Sequence, residues 1–218
     1  MRRGTSRPNR MPFAAIVLAA GASTRMEGSP KALLPIDTEP AVQRISRVCA
    51  ELEIAPVIVV AGRHIAPIRD ALRGIAAVVV ENPHWSEGRT GSIQVGLGAV
   101  EDGVGALLWP IDHPFVQART VEALVSRARS DAMALWVVPT FEGRGGHPIV
   151  LQPPTFAAIA GLGRDTPLRN LLAEFGPQVL RIPVSDPGVT ENVDTPETYR
   201  AAVERYRREV PDLSWTGG

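Results

Sequence analysis

The chain has a single cysteine, no net charge and no apolar run of membrane-spanning length among its 218 residues. Each shortage excludes a class of protein. One cysteine, Cys49, can form neither an internal disulfide nor a cysteine-rich metal site, and its place in the helical pattern from Val42 to Leu52 fits a buried apolar residue. A reducing, cytoplasmic setting suits that usage. With 23 basic and 23 acidic residues in balance, the chain has no overall field to hold nucleic acid or an anionic membrane. Any phosphate affinity must be local. The apolar stretch Phe13 to Ala20 falls well short of the ~20 residues needed to cross a bilayer. Preceded by Arg2, Arg3, Arg7 and Arg10, it imitates a secretory signal. The residues after it, however, carry a phosphate-site pattern that a signal has no reason to contain. The expectation is a disordered basic tail over 1–11, one domain over 12–210 with a single hydrophobic core, and a short tail over 211–218.

Apolar runs at Phe13 to Ala19, Pro56 to Ala61, Ala77 to Val80, Ala106 to Ile111 and Ala134 to Val138 read as strands. Helical patterns fill the gaps at Ala41 to Glu53, Ile65 to Arg73, Thr90 to Val100 and Thr120 to Arg129. This β–α alternation predicts an α/β fold with parallel early strands covered on both faces. After Pro139 the rhythm loosens: a strand at Pro148 to Leu151, helices at Thr155 to Ile159 and Pro167 to Glu174, a strand at Val179 to Ile182 and a last helix from Pro196. The sheet is expected to become mixed there. Neither Pro153-Pro154 nor the turn Asp186-Pro187-Gly188 lengthens into a linker, and no internal repeat is evident.

The first strand runs into Leu18-Ala19-Ala20-Gly21-Ala22-Ser23-Thr24-Arg25-Met26-Glu27-Gly28-Ser29-Pro30-Lys31. Open α/β sheets bind ligands at this end of their strands. Small residues at Ala20, Gly21 and Ala22 let backbone N–H groups approach oxygens, and Arg25 and Lys31 bring two cations, a composition that suits a triphosphate. The loop is neither a Walker A sequence nor a dinucleotide fingerprint. Further on, Asp112 ends the strand Ala106 to Ile111, where a carboxylate is costly to bury without a cation and so should face the crevice. A turn-forming aspartate before Pro114 is the plainer alternative.

At these residues the chain resembles the molybdenum cofactor cytidylyltransferases and their guanylyltransferase relatives. Their opening motif appears as Leu18-Ala19-Ala20-Gly21, Arg25-Met26, Lys31 and Leu33-Leu34-Pro35. Their Asp-x-Pro segment matches Asp112 and Pro114, and their segment near the carboxyl end matches Asn192-Val193-Asp194-Thr195-Pro196-Glu197. Asn82-Pro83, Trp85, Gly88 and Ser92 follow the cytidylyltransferase branch, and Gly145-Gly146-His147-Pro148 matches a Gly-x-Pro segment on the acceptor side. The motifs occur in order from about Phe13 to Arg207.

The resemblance implies a three-layer, Rossmann-like fold akin to the nucleotide-diphospho-sugar transferases. It implies nucleotide binding by Leu18, Ala19, Ala20, Gly21, Ala22 and Ser23, with Arg25 on the phosphates and Lys31 neutralising the α-phosphate. Gly88 and Ser92 would border the base and ribose, and Asp112 would bind Mg²⁺; His147, in the segment on the acceptor side, is either an acceptor contact or a structural turn residue. The reaction implied is transfer of CMP from CTP to the terminal phosphate of molybdopterin, for delivery to a molybdenum hydroxylase-type enzyme. Asp194 is either a second metal ligand or, with Thr195, the cap of the last helix. Asn192 replaces the usual acid, and Glu27 stands where the family has glycine. GTP or another phosphorylated acceptor, a related oxidoreductase and a non-catalytic nucleotide-binding chaperone are the competing readings.

Overall fold

A computed structural model describes residues 11–23, 26 and 29–209. In chain order the strands and α-helices are β1 (Phe13–Ala19), β2 (Pro35–Ile36), β3 (Glu39–Pro40), α1 (Ala41–Glu51), β4 (Val57–Ala61), α2 (Ile65–Ala71), β5 (Ala77–Glu81), α3 (Arg89–Leu97), β6 (Gly105–Pro110), α4 (Ala118–Ser130), β7 (Trp136–Phe141), β8 (Arg144–Gly145), β9 (Ile149–Leu151), α5 (Phe156–Ala160), α6 (Leu171–Phe175), β10 (Val179–Pro183) and α7 (Pro196–Glu209). The main sheet has the order β10-β7-β9-β6-β1-β4-β5, with β8 paired to β7. β1 lies parallel to both β4 and β6, and β4 is parallel to β5. β9 runs antiparallel to β6 and β7, while β10 is parallel to β7. The sheet is therefore mostly parallel and becomes mixed in its later part, as the loosened rhythm after Pro139 predicts.

The sequence of β1 explains its place at the centre. All seven residues are buried, and successive side chains point to opposite faces. Phe13, Ala15, Val17 and Ala19 join one apolar layer with side chains of α1, α2, α4 and α7; Ala14, Ile16 and Leu18 join the other, with α3, α5 and α6. A strand covered on both sides needs apolar residues at every position. Helix α1 turns Val42, Ile45, Val48 and Cys49 inward at helical spacing. Burial there pushes the Cys49 thiol pKa up to about 12, which keeps it protonated and unreactive.

Three features differ from the sequence expectation. β5 is an edge strand rather than one covered on both faces, and Val78 is 55% exposed. β7 begins and ends later than expected, at Trp136 and Phe141, because its last residues pair with β8 across a turn at Glu142 and Gly143. The small hairpin of β2 and β3 was not legible: Asp37 there takes a positive φ of 60°, which its residue type permits but does not demand. Among the described residues no helix is long and apolar enough to cross a membrane.

Candidate active site

The chain goes from β1 through α1 to β4 on one side, and returns after α3 to β6 on the other side of β1. The crevice at the carboxyl ends of β1 and β6 is thus a point where strand order reverses, which is where such sheets bind ligands. A cavity of about 450 Å³ opens there. Its walls come from five separate segments: the loop after β1 as far as Ala32, His64 before α2, the turn and start of α3, the end of β6 and the residues before α7. Leu18, Ala19, Ala20, Gly21, Ala22, Ser23 and Lys31 all line it, as do Gly88, Ser92, Asp112 and Asp194. His147 lines a neighbouring cavity instead. Arg25 and Glu27 lie outside the described residues.

The loop is held by its own side chains. Ser23 adopts a positive φ of 51° and its Oγ accepts a hydrogen bond from the Lys31 backbone N–H at 3.1 Å, closing the loop. A ring nitrogen of His64 lies 3.3 Å from the Ala22 carbonyl oxygen. Lys31 then reaches across the cavity, where its ammonium donates to Asp194.

Asp112 leaves β6 with its side chain 10% exposed. Its Oδ2 accepts from Arg89 Nη2 at 3.1 Å, while Oδ1 is buried without a hydrogen-bond partner and lies 3.9 Å from His113 Nε2. Burial pushes the carboxyl pKa up, but His113, Arg89 and Lys31 together outweigh it and hold the group below the usual carboxylate range. Only the imidazole depends on protonation, and its own pKa is pushed down by burial. Asp112 is therefore ionised at neutral pH, with Arg89 and Lys31 among its neighbours. A buried, ionised carboxylate with one unused oxygen fits a divalent cation. Among the described residues no three acidic, histidine or cysteine side chains cluster as a metal cage. The donor set instead suits a cation that takes one or two protein carboxylates and draws the rest from phosphate and water.

Of Asp194 and Thr195, the hydrogen bonds single out Thr195 as the cap. Thr195 Oγ1 accepts from the Thr198 N–H at 3.3 Å, while Thr198 Oγ1 accepts from the N–H groups of Asp194 and Thr195, each at 3.0 Å. This reciprocal pair caps α7. Asp194 lines the cavity, where Lys31 meets its carboxylate. Asn192 lines the same cavity.

At the start of α3, Gly88 is the N-cap with φ 138° and has no capping side chain. A Cβ there would lie 2.3 Å from the Arg164 carbonyl oxygen, so glycine is required by packing as well as by backbone conformation. Thr90, a candidate cap by residue type, donates instead to the Thr166 carbonyl oxygen at 2.6 Å. Ser92 Oγ accepts from Asn82 Nδ2 at 2.9 Å, which ties the helix to the chain just after β5.

The second cavity, of about 520 Å³, shares Leu18, Arg89 and Pro110 with the first. Most of its wall is apolar. His147 Nδ1 is buried there without a hydrogen-bond partner, and burial followed by the charge of His113 pushes the His147 pKa down to about 3. The two imidazole rings are 5.0 Å apart. Gly146 packs so closely on Val189 that a Cβ would sit 2.2 Å from its carbonyl oxygen.

Sequence reasoning missed Arg89. The available signal was its position: a cation in the first turn of a helix opposes the helix dipole and calls for an acidic partner elsewhere.

Comparison with known proteins agrees with this geometry. The family model described as a MobA-like NTP transferase domain matches residues 15–179. The bifunctional protein GlmU of Jannaschia sp. (strain CCS1) is 29% identical over 95% of this chain, although the chain spans only 46% of that protein. Nicotine blue oxidoreductase of Paenarthrobacter nicotinovorans is 27% identical over 84% of this chain and 92% of its own length. Among solved structures, Rv0371c of Mycobacterium tuberculosis H37Rv is 26% identical with a TM-score of 0.74, covering 89% of this chain and 98% of that one. The same protein in complex with manganese matches at 25% identity and a TM-score of 0.71, over 89% and 99% of the two chains.

Proposed function

Because the chain belongs to the MobA-like NTP transferase domain family, and so is a nucleotidyltransferase, we propose that it moves CMP from CTP to the terminal phosphate of molybdopterin. The observation that carries this reading is the convergence of the β1 loop, Lys31, Asp112 and Asp194 on one cavity. Mg²⁺, held by Asp112 and Asp194, would supply charge neutralisation across the triphosphate. Ala20 favours CTP, because the guanylyltransferase relatives tend to carry glycine there.

An oxygen of the acceptor phosphate attacks the α-phosphorus in line. A new phosphorus–oxygen bond forms, the bond to the β-phosphate bridge breaks, and pyrophosphate leaves with that electron pair. The attacking oxygen is already anionic at neutral pH, so no general base is needed. What remains for the protein is positioning and electrostatics. The loop amides from Ala20 to Ser23 hold phosphate oxygens, and Lys31 meets the charge that grows at the α-phosphate. Arg25 is assigned the same work by its place in the motif. The product would pass to a molybdenum hydroxylase-type enzyme.

The test is pyrophosphate release with each of the four nucleoside triphosphates and Mg²⁺, with and without molybdopterin. Release that requires CTP and molybdopterin supports the proposal, and release with a different pair replaces it. A second reading within the same reaction class is transfer to another small phosphorylated acceptor such as a sugar phosphate, because the motif residues specify the nucleotide half of the site more fully than the acceptor half. Sugar 1-phosphates therefore belong in the same acceptor panel.

A further inference from the structure

We infer that Arg89 sets the class of acceptor as an anion carried on a flat, apolar body. This rests on the nucleotidyl-transfer reading of the adjoining cavity. Three residues border both cavities, Leu18, Arg89 and Pro110, and Arg89 is the one with a charge. Its side chain is 59% exposed, so packing does not require it there. Nor does the helix: Arg89 occupies the first turn of α3, where the backbone already presents positive potential and a cation is disfavoured. A guanidinium kept at such a point is explained by what it binds.

In the protein alone it binds Asp112. That contact uses one of five N–H donors, and the flat fork of a guanidinium matches two oxygens of a phosphate or carboxylate. An arriving anion is therefore met by the other donors of Arg89 while the contact to Asp112 persists. The same residue that receives the acceptor thus borders the carboxylate on the nucleotide side.

The body of the acceptor is specified by the second cavity. Trp136, Val138, Ile149, Leu168 and Leu172 line it. The hydroxyls of a sugar would lose their water against such a wall without gaining partners, whereas a planar ring system gains by burial. Arg169, Asp165 and His147 provide the few polar groups that orient a ligand in a mostly apolar site.

The test is calorimetric titration of the full chain with 1-naphthyl phosphate, 1-naphthol and glucose 1-phosphate, using wild type, Arg89→Gln and Arg89→Lys. Wild type should bind 1-naphthyl phosphate at least about tenfold more tightly than glucose 1-phosphate. Arg89→Gln should weaken 1-naphthyl phosphate by roughly tenfold or more, the scale of a charged hydrogen bond. It should leave 1-naphthol within about twofold, and Arg89→Lys should recover part of the loss. CTP with Mg²⁺ should lose less affinity in Arg89→Gln than 1-naphthyl phosphate does, and in turnover the KM for the acceptor should rise more than kcat falls. The inference is overturned by no binding of 1-naphthyl phosphate to wild type, by equal binding to Arg89→Gln, or by preference for the sugar phosphate. A loss of CTP affinity matching the loss of 1-naphthyl phosphate would assign Arg89 to the nucleotide and overturn it too. If wild type binds none of the four nucleotides, the nucleotidyl-transfer reading fails separately, and the 1-naphthyl phosphate comparison still decides the role of Arg89.

Discussion

The backbone N–H of Val193 donates to the carbonyl oxygen of Asp112 at 2.8 Å. This bond fastens the segment before α7 to the end of β6 and sets Asp194 on the same cavity as Asp112. Two carboxylates far apart in the chain are thus positioned by backbone rather than by flexible side chains.

Replacing Asp112 with Asn keeps the shape of the side chain and removes its charge. Pyrophosphate release from CTP and Mg²⁺ should fall by about a hundredfold or more, with the thermal midpoint close to wild type. Turnover at the wild-type rate would remove Asp112 from the mechanism.

Lys31→Ala should slow the chemical step by about a hundredfold while changing CTP affinity much less, because the charge it meets develops in the transition state. Single-turnover quench experiments separate the two quantities. An unchanged single-turnover rate contradicts the role.

Asp194 and Thr195 should part company under mutation. Asp194→Asn should reduce turnover with little effect on stability, while Thr195→Ala, which removes half of the α7 cap, should cost about 1 kcal/mol of stability. Urea unfolding beside the pyrophosphate assay reads both, and a stability loss confined to Asp194→Asn would return the cap to the carboxylate.

His147 should make the protein acid-sensitive. Its folded pKa is about 3 against an ordinary value of 6.5, so on acidification the unfolded chain takes up the proton first. The stability it contributes is whole above about pH 6.5 and is lost as pH falls toward 3. In that window the wild-type unfolding free energy from urea titration should fall more steeply than that of His147→Asn, by up to about 1.4 kcal/mol per pH unit. Parallel slopes in the two proteins would rule the imidazole out as the source.

Gly88→Ala should be destabilising by about 1–3 kcal/mol, since the new methyl meets the Arg164 carbonyl in a backbone conformation that L residues avoid. Thermal denaturation checks it. A neutral result would show that the segment around Arg164 yields without cost.

The central strands, α1, α4 and the ligand-binding end of the sheet were legible because burial on two faces leaves an unbroken apolar signature, as in β1. The β1 loop and Asp112 were legible because small residues and a lone acid at strand ends have few structural uses. What could not be read depended on distant partners. Whether Asp194 or Thr195 capped α7 was decided by the hydroxyl of Thr198 and the ammonium of Lys31. The reason for glycine at position 88 lay in Arg164, and the pairing of Arg89 with Asp112 joins two segments that no local pattern relates.

The reversed strand β9 has a consequence for how such a protein can change. Its register, Leu108 opposite Ile149 and Ala106 opposite Leu151, brings its beginning, not its end, to the ligand edge of the sheet. The loop entering it, Gly145 to His147, therefore faces the second cavity, while the outgoing loops of β1 and β6 face the first. On the proposed reading, nucleotide and acceptor would be recognised by largely separate stretches of chain that meet at Leu18, Arg89 and Pro110. Drift in residues 144–172 would then exchange one acceptor for another while the nucleotide half stays as inherited, so that a single scaffold diversifies one substrate at a time.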